Sequence, residues 1–437
     1  MANGGRKMSH HSRIGTILAF GLATVVLSTE ALALQPLEDF RRAARSANFD
    51  EREAALVVVQ RGHEASVALG RLLPTASASA AYTRNQYEVN VTRPDATGQP
   101  VTAVITPLNQ LEANISLRVP VIDVGGWMRL SASHSAENAA KLRAEATEND
   151  GDAEISRHYY SLVGATWLRV AAQKAEVAAG QNLEVLVRRR AAERALDTDV
   201  LRARAEVERQ KKAVAEADNQ VRAATRALRT VSGLEPTVGV PVLEPAKPVE
   251  LARAELNALA LAAPAVRAAE ADVQVAERSR SAAQAAFLPT LSAQANERIT
   301  NATGFAGRNT LFNFQVAASW SLDYTTLAQA RASDSAAALA KLRAERARQL
   351  QQDLVSEAAD RVDVEVVRAR SAAAEEDAAQ NGVALWRDRL AAGNATVLEV
   401  VQAERDAFAA TAGRIQAEAD LAYGRELLRA KTKGASR

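Results

Sequence analysis

The chain contains no cysteine. That excludes a disulfide scaffold, thiolate catalysis and cysteine metal sites, and it removes the lipid-bearing cysteine a bacterial lipoprotein needs just after its signal. Aromatic residues are only 4% of a chain that is 48% hydrophobic, with alanine, valine and leucine supplying most of the apolar content. A large globular core normally leans on bulky side chains, whereas an alanine-dominated interior suits helices whose backbones approach closely along extended seams. Charge of one sign is also missing. A net +2 leaves no basic footprint for nucleic acid. The five histidines, His10, His11, His63, His134 and His158, are too scattered for a metal site and read as solvated helix-surface residues. No catalytic constellation is found, so neither an enzyme nor a cofactor is expected. Acid pairs such as Glu375-Glu376 are expected to face solvent.

What is present begins with an export signal. Arg6, Lys7 and Arg13 precede an apolar run from Ile14 to Leu27, and Ala31-Leu32-Ala33 supplies a small-x-small cleavage pattern. Residues 1–33 therefore read as a signal peptide. The run is shorter than the roughly 20 apolar residues of a spanning helix, and nothing later resembles one.

The chain repeats itself. Arg71-Leu72-Leu73-Pro74-Thr75 returns as Ala286-Phe287-Leu288-Pro289-Thr290, an offset of 215. Val119-Pro120-Val121-Ile122-Asp123 is echoed by Ser319-Trp320-Ser321-Leu322-Asp323, and Asp199-Val200-Leu201-Arg202-Ala203 by Glu399-Val400-Val401-Gln402-Ala403, both at 200. The longer segment between the two strands of the first half explains the difference, as an indel in a surface loop would. Residues 34–233 form the first repeat, 234–252 a proline-rich linker and 253–437 the second repeat.

Within each half, a short helix ends at proline (Asp50 to Leu73; Ala265 to Leu288) and two strands follow. A long helix comes next (Gly126 to about Leu196; Thr326 to about Ala392), and a second short helix closes the unit (Asp199 to Ser232; Val397 to Thr432). At 1.5 Å per residue the long helices reach about 100 Å, roughly matched by two short ones end to end. Val200, Val207, Val214, Val221 and Leu228 repeat every seven residues, with Ala203, Gln210, Ala217, Ala224 and Val231 three further on. That is a coiled-coil seam with small d residues. Val400, Ala407, Leu421 and Leu428 keep the frame in the second half, Arg414 breaks it, and Val401, Phe408 and Ile415 make a second stripe.

The strands separate a fibrous coiled coil from a membrane protein. Phe312, Phe314, Val316, Ala318, Trp320 and Leu322 alternate with Asn313, Gln315, Ala317, Ser319 and Ser321. Leu111, Ala113, Ile115, Leu117 and Val119 alternate likewise with Glu112, Asn114, Ser116 and Arg118. Thr75 to Tyr87 and Thr290 to Thr300 are the weaker partners. About ten alternating residues fit a tilted strand crossing a bilayer, apolar to lipid and polar to a lumen. Tyr82, Tyr87, Phe305, Phe312, Phe314, Trp320 and Tyr324 cluster there as an aromatic girdle would. Soluble amphipathic hairpins packed on the helices remain the alternative. Four strands cannot close a barrel, however, and open edges are a liability, so closure calls for several chains.

Several motifs then carry a resemblance. Ala260-Leu-Ala-Ala-Pro264-Ala-Val-Arg267-Ala-Ala-Glu270 leads to Phe287-Leu288-Pro289; Val119-Pro120-Val121-Ile122-Asp123-Val124-Gly125-Gly126 marks a strand exit. Thr198-Asp199-Val200-Leu201-Arg202-Ala203 and Gly393-Asn394-Ala395-Thr396-Val397-Leu398-Glu399-Val400-Val401-Gln402-Ala403-Glu404 mark two helical-hairpin turns. In order and duplication, across nearly the whole mature chain, they resemble the TolC family of outer-membrane efflux and secretion channels.

The resemblance implies a mainly α fold with a small transmembrane β part. Long coiled-coil helices would form a periplasmic α-barrel tunnel, and four strands per chain a trimeric twelve-stranded β-barrel in outer-membrane lipid. It also implies a homotrimer that docks to a periplasmic adaptor and an inner-membrane RND or ABC-type pump, forming a passive exit duct. Drugs, metal ions, polysaccharide and proteins all use such ducts, with specificity expected largely in the pump.

The family's periplasmic gate falls on Glu399, with Gln402 in place of a second acid, and on Asp199 and Arg202 in the first repeat; Arg387, Arg389 and Arg202 are candidate holders of the ring. Three copies of Glu399 around an axis would attract cations and repel one another; the alternative is an ordinary exposed glutamate. Gly393, Asn394 and Thr396 are expected at the hairpin turn and adaptor-docking surface. The chain departs from its first-repeat pattern at Asp323-Tyr324-Thr325, which predicts a different second strand-to-helix bend. A periplasmic coiled-coil adaptor or scaffold without a barrel is the runner-up.

Overall fold

The computed structural model describes residues 34–94, 96–237, 239, 252–320 and 322–433. The expected signal peptide, most of the expected linker and the last four residues lie outside them. Among the described residues there are eight α-helices, besides one 3-10 turn at Gly304–Ala306: α1 (Leu37–Ala47), α2 (Phe49–Gly70), α3 (Val124–Ala191), α4 (Asp197–Ser232), α5 (Arg253–Leu261), α6 (Pro264–Ala285), α7 (Tyr324–Ala391) and α8 (Val397–Thr432). Six strands accompany them: β1 (Thr75–Arg84), β2 (Val89–Pro94), β3 (Pro100–Thr106), β4 (Asn109–Ile122), β5 (Thr290–Thr300) and β6 (Thr310–Ser319).

The duplication is carried through to the residue. α3 and α7 each have 68 residues, α4 and α8 each 36, α2 and α6 each 22. At 1.5 Å per residue the long helices run about 100 Å. α2 and α4 both pack along α3, and α6 and α8 both along α7. The repeats join because α6 and α8 also pack on α3. The strands of each half begin at the proline that stops α2 or α6, since that residue can neither donate nor continue a helix.

Two apolar clusters repeat as well. One holds Phe40 and Ala44 of α1 against Ile155, Leu162, Val221 and Leu228. The other holds Leu256 and Ala260 of α5 against Val355, Val362, Leu421 and Leu428. Their α3/α4 and α7/α8 members differ in number by 200. α1 and α5 are thus separate short helices that plug each coiled coil; both lie ahead of the helices expected from Asp50 and Ala265, and the sequence pattern did not show them.

The heptad stripe of α4 is largely buried. Val200, Ala203, Gln210, Ala217, Val221, Ala224 and Leu228 face inward, with Val207, Val214 and Val231 half-buried. Glu206, in the middle of this surface, is buried too. On α8 both expected stripes are used: Val400, Leu421 and Leu428 from one, Val401 and Ile415 from the other. Arg414 is accommodated by ion pairs with Glu376 and Glu418. Glu376 therefore does not face solvent as expected; it also accepts a hydrogen bond from Thr411 at 2.7 Å. Nor is His158 a freely solvated histidine. It is half-buried, and desolvation, then neighbouring Arg157, lower its pKa.

Candidate functional site: the four-stranded sheet and the hairpin tips

β1, β4, β5 and β6 form one antiparallel sheet in that order. Its register sorts most side chains by polarity, with Glu297 and Arg84 the charged exceptions on the otherwise mainly apolar face. Tyr82, Leu111, Ile115, Leu117, Ala295, Ile299, Phe312, Phe314 and Val316 share one face. Phe312 and Phe314 leave 69% and 65% of their surface uncovered. Large aromatics in that state are a surface awaiting an apolar medium. On the reverse face, Ser77 and Ser116 hydroxyls meet at 2.6 Å, Asn296 donates to Asn313 at 2.9 Å, and Arg298 pairs with Glu112 at 3.0 Å.

At the helix end of the sheet, the Trp320 indole N–H donates to the Phe287 carbonyl at 2.9 Å. At the other end, the Tyr82 hydroxyl donates to Asn109 at 2.9 Å. Both rings keep their bodies exposed and their polar tips satisfied, the arrangement of a membrane-interface aromatic. β1 and β6 have partners on one side only.

The insertion in the first half is a folded hairpin, β2–β3, rather than a plain loop, and it leans on the β5–β6 connection. The Arg93 guanidinium lies 4.3 Å from the centre of the Phe305 ring. The alternation of Val89 and Val91, and of Val101, Ala103 and Ile105, is the signal for it.

The two strand-to-helix bends share one device. Asp123 accepts from the Gly126 N–H at 2.7 Å, and Asp323 from the Thr326 N–H at 2.7 Å. These are N-cap bonds, so the difference expected at Asp323-Tyr324-Thr325 does not extend to the cap. The bends do differ in backbone. Asp123 has ψ 83° and Asp323 ψ 168°, and β4 carries a bulge between Pro120 and Ile122. A Cβ at Gly126 would fall 2.6 Å from Leu72, which explains the glycine there.

At the far end of the long helices, the α3–α4 and α7–α8 turns are built alike. Glu193 (φ 58°) and Gly393 (φ 80°) occupy left-handed positions 200 residues apart. Each is followed by a closing bond, Arg194 N–H to Arg189 carbonyl and Asn394 N–H to Arg389 carbonyl, both 2.8 Å. This six-to-one bond satisfies carbonyls the helix end leaves free.

Glu399 sits three residues into α8 and accepts from the Thr396 N–H at 2.6 Å and its hydroxyl at 2.8 Å. Those bonds, the backbone one first, hold its pKa below the ordinary carboxylate range. Thr396-x-x-Glu399 is a capping box, legible in the sequence. Asp199 does the same for Leu196 N–H at 3.3 Å.

The other expected site residues are placed as follows. Gln402 donates to Asp406 at 3.0 Å, one turn along α8. Arg202 approaches Asp199 at 3.8 Å. Arg389 lies over the Trp386 ring at 5.2 Å and acts on Glu399 only through its charge. Arg387 holds Glu404, at 2.7 Å, rather than Glu399.

Bonds between the two hairpins are made by residues the sequence did not single out. Both Nε and Nη2 of Arg405 (α8) donate to Glu206 (α4), at 2.9 and 2.8 Å. Asn182 (α3) donates to Glu404 (α8) at 2.5 Å. Below them Leu186, Val200, Ala203, Val397 and Val401 form an apolar cluster shared by both hairpins. Among the described residues no group of acidic or histidine side chains could hold a metal, and no helix is long and apolar enough to cross a membrane.

Residues 256–431 match the family model for outer membrane efflux proteins. No curated protein matches the sequence. Solved structures match across the chain. A structure of CusC, described for its transmembrane channel formation, has a TM-score of 0.76 at 15% identity over 91% of this chain and 92% of that one. The Campylobacter jejuni CmeC outer membrane channel gives 0.75 at 14%, over 98% and 94%. The open-state outer membrane channel MtrE of Neisseria gonorrhoeae gives 0.75 at 18%, over 92% and 90%. Such identities establish likeness of fold, and the family match covers the second repeat. Residues 256–431 thus match the outer membrane efflux protein family, and the chain has the fold of these outer-membrane channels throughout, as the resemblance to the TolC family implied.

Proposed function

We infer that three copies of this chain close into a passive exit duct, which carries cargo from a periplasmic adaptor and an inner-membrane RND or ABC-type pump across the outer membrane. The observation that carries this is the four-stranded sheet: one face mainly apolar and exposed, the other mainly polar, both edges open, on helices about 100 Å long. Lipid covers the first face and water fills the lumen behind the second. Edge strands β1 and β6 find partners in the neighbouring copies. A soluble coiled-coil adaptor or scaffold would leave Phe312 and Phe314 in water, a cost such a protein has no reason to bear.

The duct does no chemistry of its own; energy comes from the pump. At the periplasmic end, the Glu206–Arg405 and Asn182–Glu404 bonds hold the hairpins of one copy together. Separating them widens the aperture. Glu399 of three copies faces that aperture, its carboxylate kept ionised by its cap, while Gln402 contributes no second charge. The turn at Gly393, Asn394 and Thr396, with exposed Leu196 and Leu398 beside it, is the docking surface for the adaptor.

Membrane fractionation followed by planar-bilayer recording tests the duct. An outer-membrane trimer that conducts is expected. A soluble periplasmic monomer would refute it.

A further inference from the structure

The polar face of the sheet carries three charges among its described residues: Glu112, Arg118 and Arg298. Two cancel, since Arg298 pairs with Glu112 at 3.0 Å. The Arg118 side chain is exposed, and among the described residues its guanidinium has no ion pair or hydrogen bond. Register places it in a row across the sheet, Thr75–Arg118–Gln294–Gln315, so its flanking groups are a hydroxyl and two amides that neutralise nothing. The acids at the junction with the helices are already engaged. Asp123 accepts from the Gly126 N–H and from Arg129 at 3.3 Å. Asp323 accepts from the Thr326 N–H and hydroxyl.

We propose that Arg118 forms an anion-attracting ring at the inner base of the barrel, where the helical tunnel passes into the strands. The ring favours the passage of multivalent anions and of cargo bearing carboxylate or phosphate groups. Three guanidinium groups share one lumen, repel one another, and have no protein counter-ion there; a mobile anion supplies one. A ring of arginines is a general device for anion selection in pores, and lumen-facing positions set selectivity without disturbing the lipid face. This inference rests on the exit-duct function proposed above.

The test is block of single-channel current by hexacyanoferrate(II) added on the barrel side of a planar bilayer holding the purified full-length protein. The unsubstituted protein and Arg118→Lys should both be blocked. Arg118→Gln should weaken the block by about tenfold or more at low salt, because several like-signed ring charges act on a multivalent ion across a few ångströms of water. Gln294→Glu, which sets an acid directly opposite Arg118, should weaken it similarly with the arginine still present. Equal block in Arg118→Gln, or none in the unsubstituted protein, would overturn the ring while leaving a conducting duct intact. Absence of any conductance would overturn the duct, and the ring with it.

Discussion

Arg405→Ala isolates the bond most directly responsible for holding the two hairpins of one copy together. Arg405 donates twice to Glu206, whose side chain is only 5% exposed, while Arg405 itself is 36% exposed. A charge-assisted hydrogen bond contributes about 1.5–3 kcal/mol. The loss is tempered because Glu206 keeps Arg209 at 2.7 Å and Gln210 at 2.8 Å, and is not left unpaired. A coupling of about 1–2 kcal/mol is therefore expected from a cycle of Arg405→Ala, Glu206→Gln and the double variant.

If the bond exists only in the closed arrangement, 1.4 kcal/mol shifts the closed-to-open ratio about tenfold. Bilayer recordings should show more frequent or longer openings for Arg405→Ala and for Glu206→Gln. The double variant should add little beyond either. Unchanged gating in Arg405→Ala, or fully additive effects, would refute the claim that this bond restrains the hairpins.

Three further outcomes follow from single positions. Glu193 holds a left-handed conformation that its repeat partner assigns to glycine; Glu193→Gly should stabilise the first hairpin tip by about 1 kcal/mol, seen as slower amide exchange there, and unchanged exchange would count against strain at that turn. Burial, then Glu148 and Asp152, push the Glu51 pKa up to about 7. A raised carboxyl pKa stabilises the fold below the unfolded value near 4.5 and loses that contribution as pH climbs through 7. Glu51→Gln should therefore gain on the unsubstituted protein by about 1–2 kcal/mol between pH 5 and pH 8, after discounting for solvent screening; a Tm difference independent of pH would contradict this. Phe314→Arg on the lipid face should cost about 2–4 kcal/mol near the bilayer midplane, depleting trimer from outer-membrane fractions, whereas Gln315→Arg on the lumen face should assemble normally. Equal yields from the two would remove the assignment of faces.

Much of this architecture was legible in the sequence because it is periodic. The offsets of 200 and 215 locate the strand pairs and helices, since a duplicated unit constrains every element twice. The alternation of Phe312 to Leu322 and of Leu111 to Val119 gave the two faces of the sheet directly. What escaped reading was not periodic. Glu206 and Glu376 look, in a charged helical stretch, like any solvated acid; only the helix packed opposite, bringing Arg405 or Arg414, distinguishes them. The hairpin of β2 and β3 is short and contacts little beyond the neighbouring turn, so its weak alternation was indistinguishable from an insertion. Glu399 shows the opposite case. Thr396-x-x-Glu399 announces a capping role in the sequence itself, which the structure makes plain, and the gate role proposed for Glu399 would add to that local duty rather than replace it.

Because the chain lacks cysteine, engineered cysteines report cleanly on the assembly. Single cysteines placed along β1 and along β6 of the same full-length chain, oxidised in intact outer membranes, test whether those open edges pair between copies. The account predicts a covalent ladder that ends at three chains for the pairs in register, and none when either strand carries its cysteine alone at a distant height. A chain that stays monomeric in every pair, or is recovered from the soluble periplasm, would contradict it.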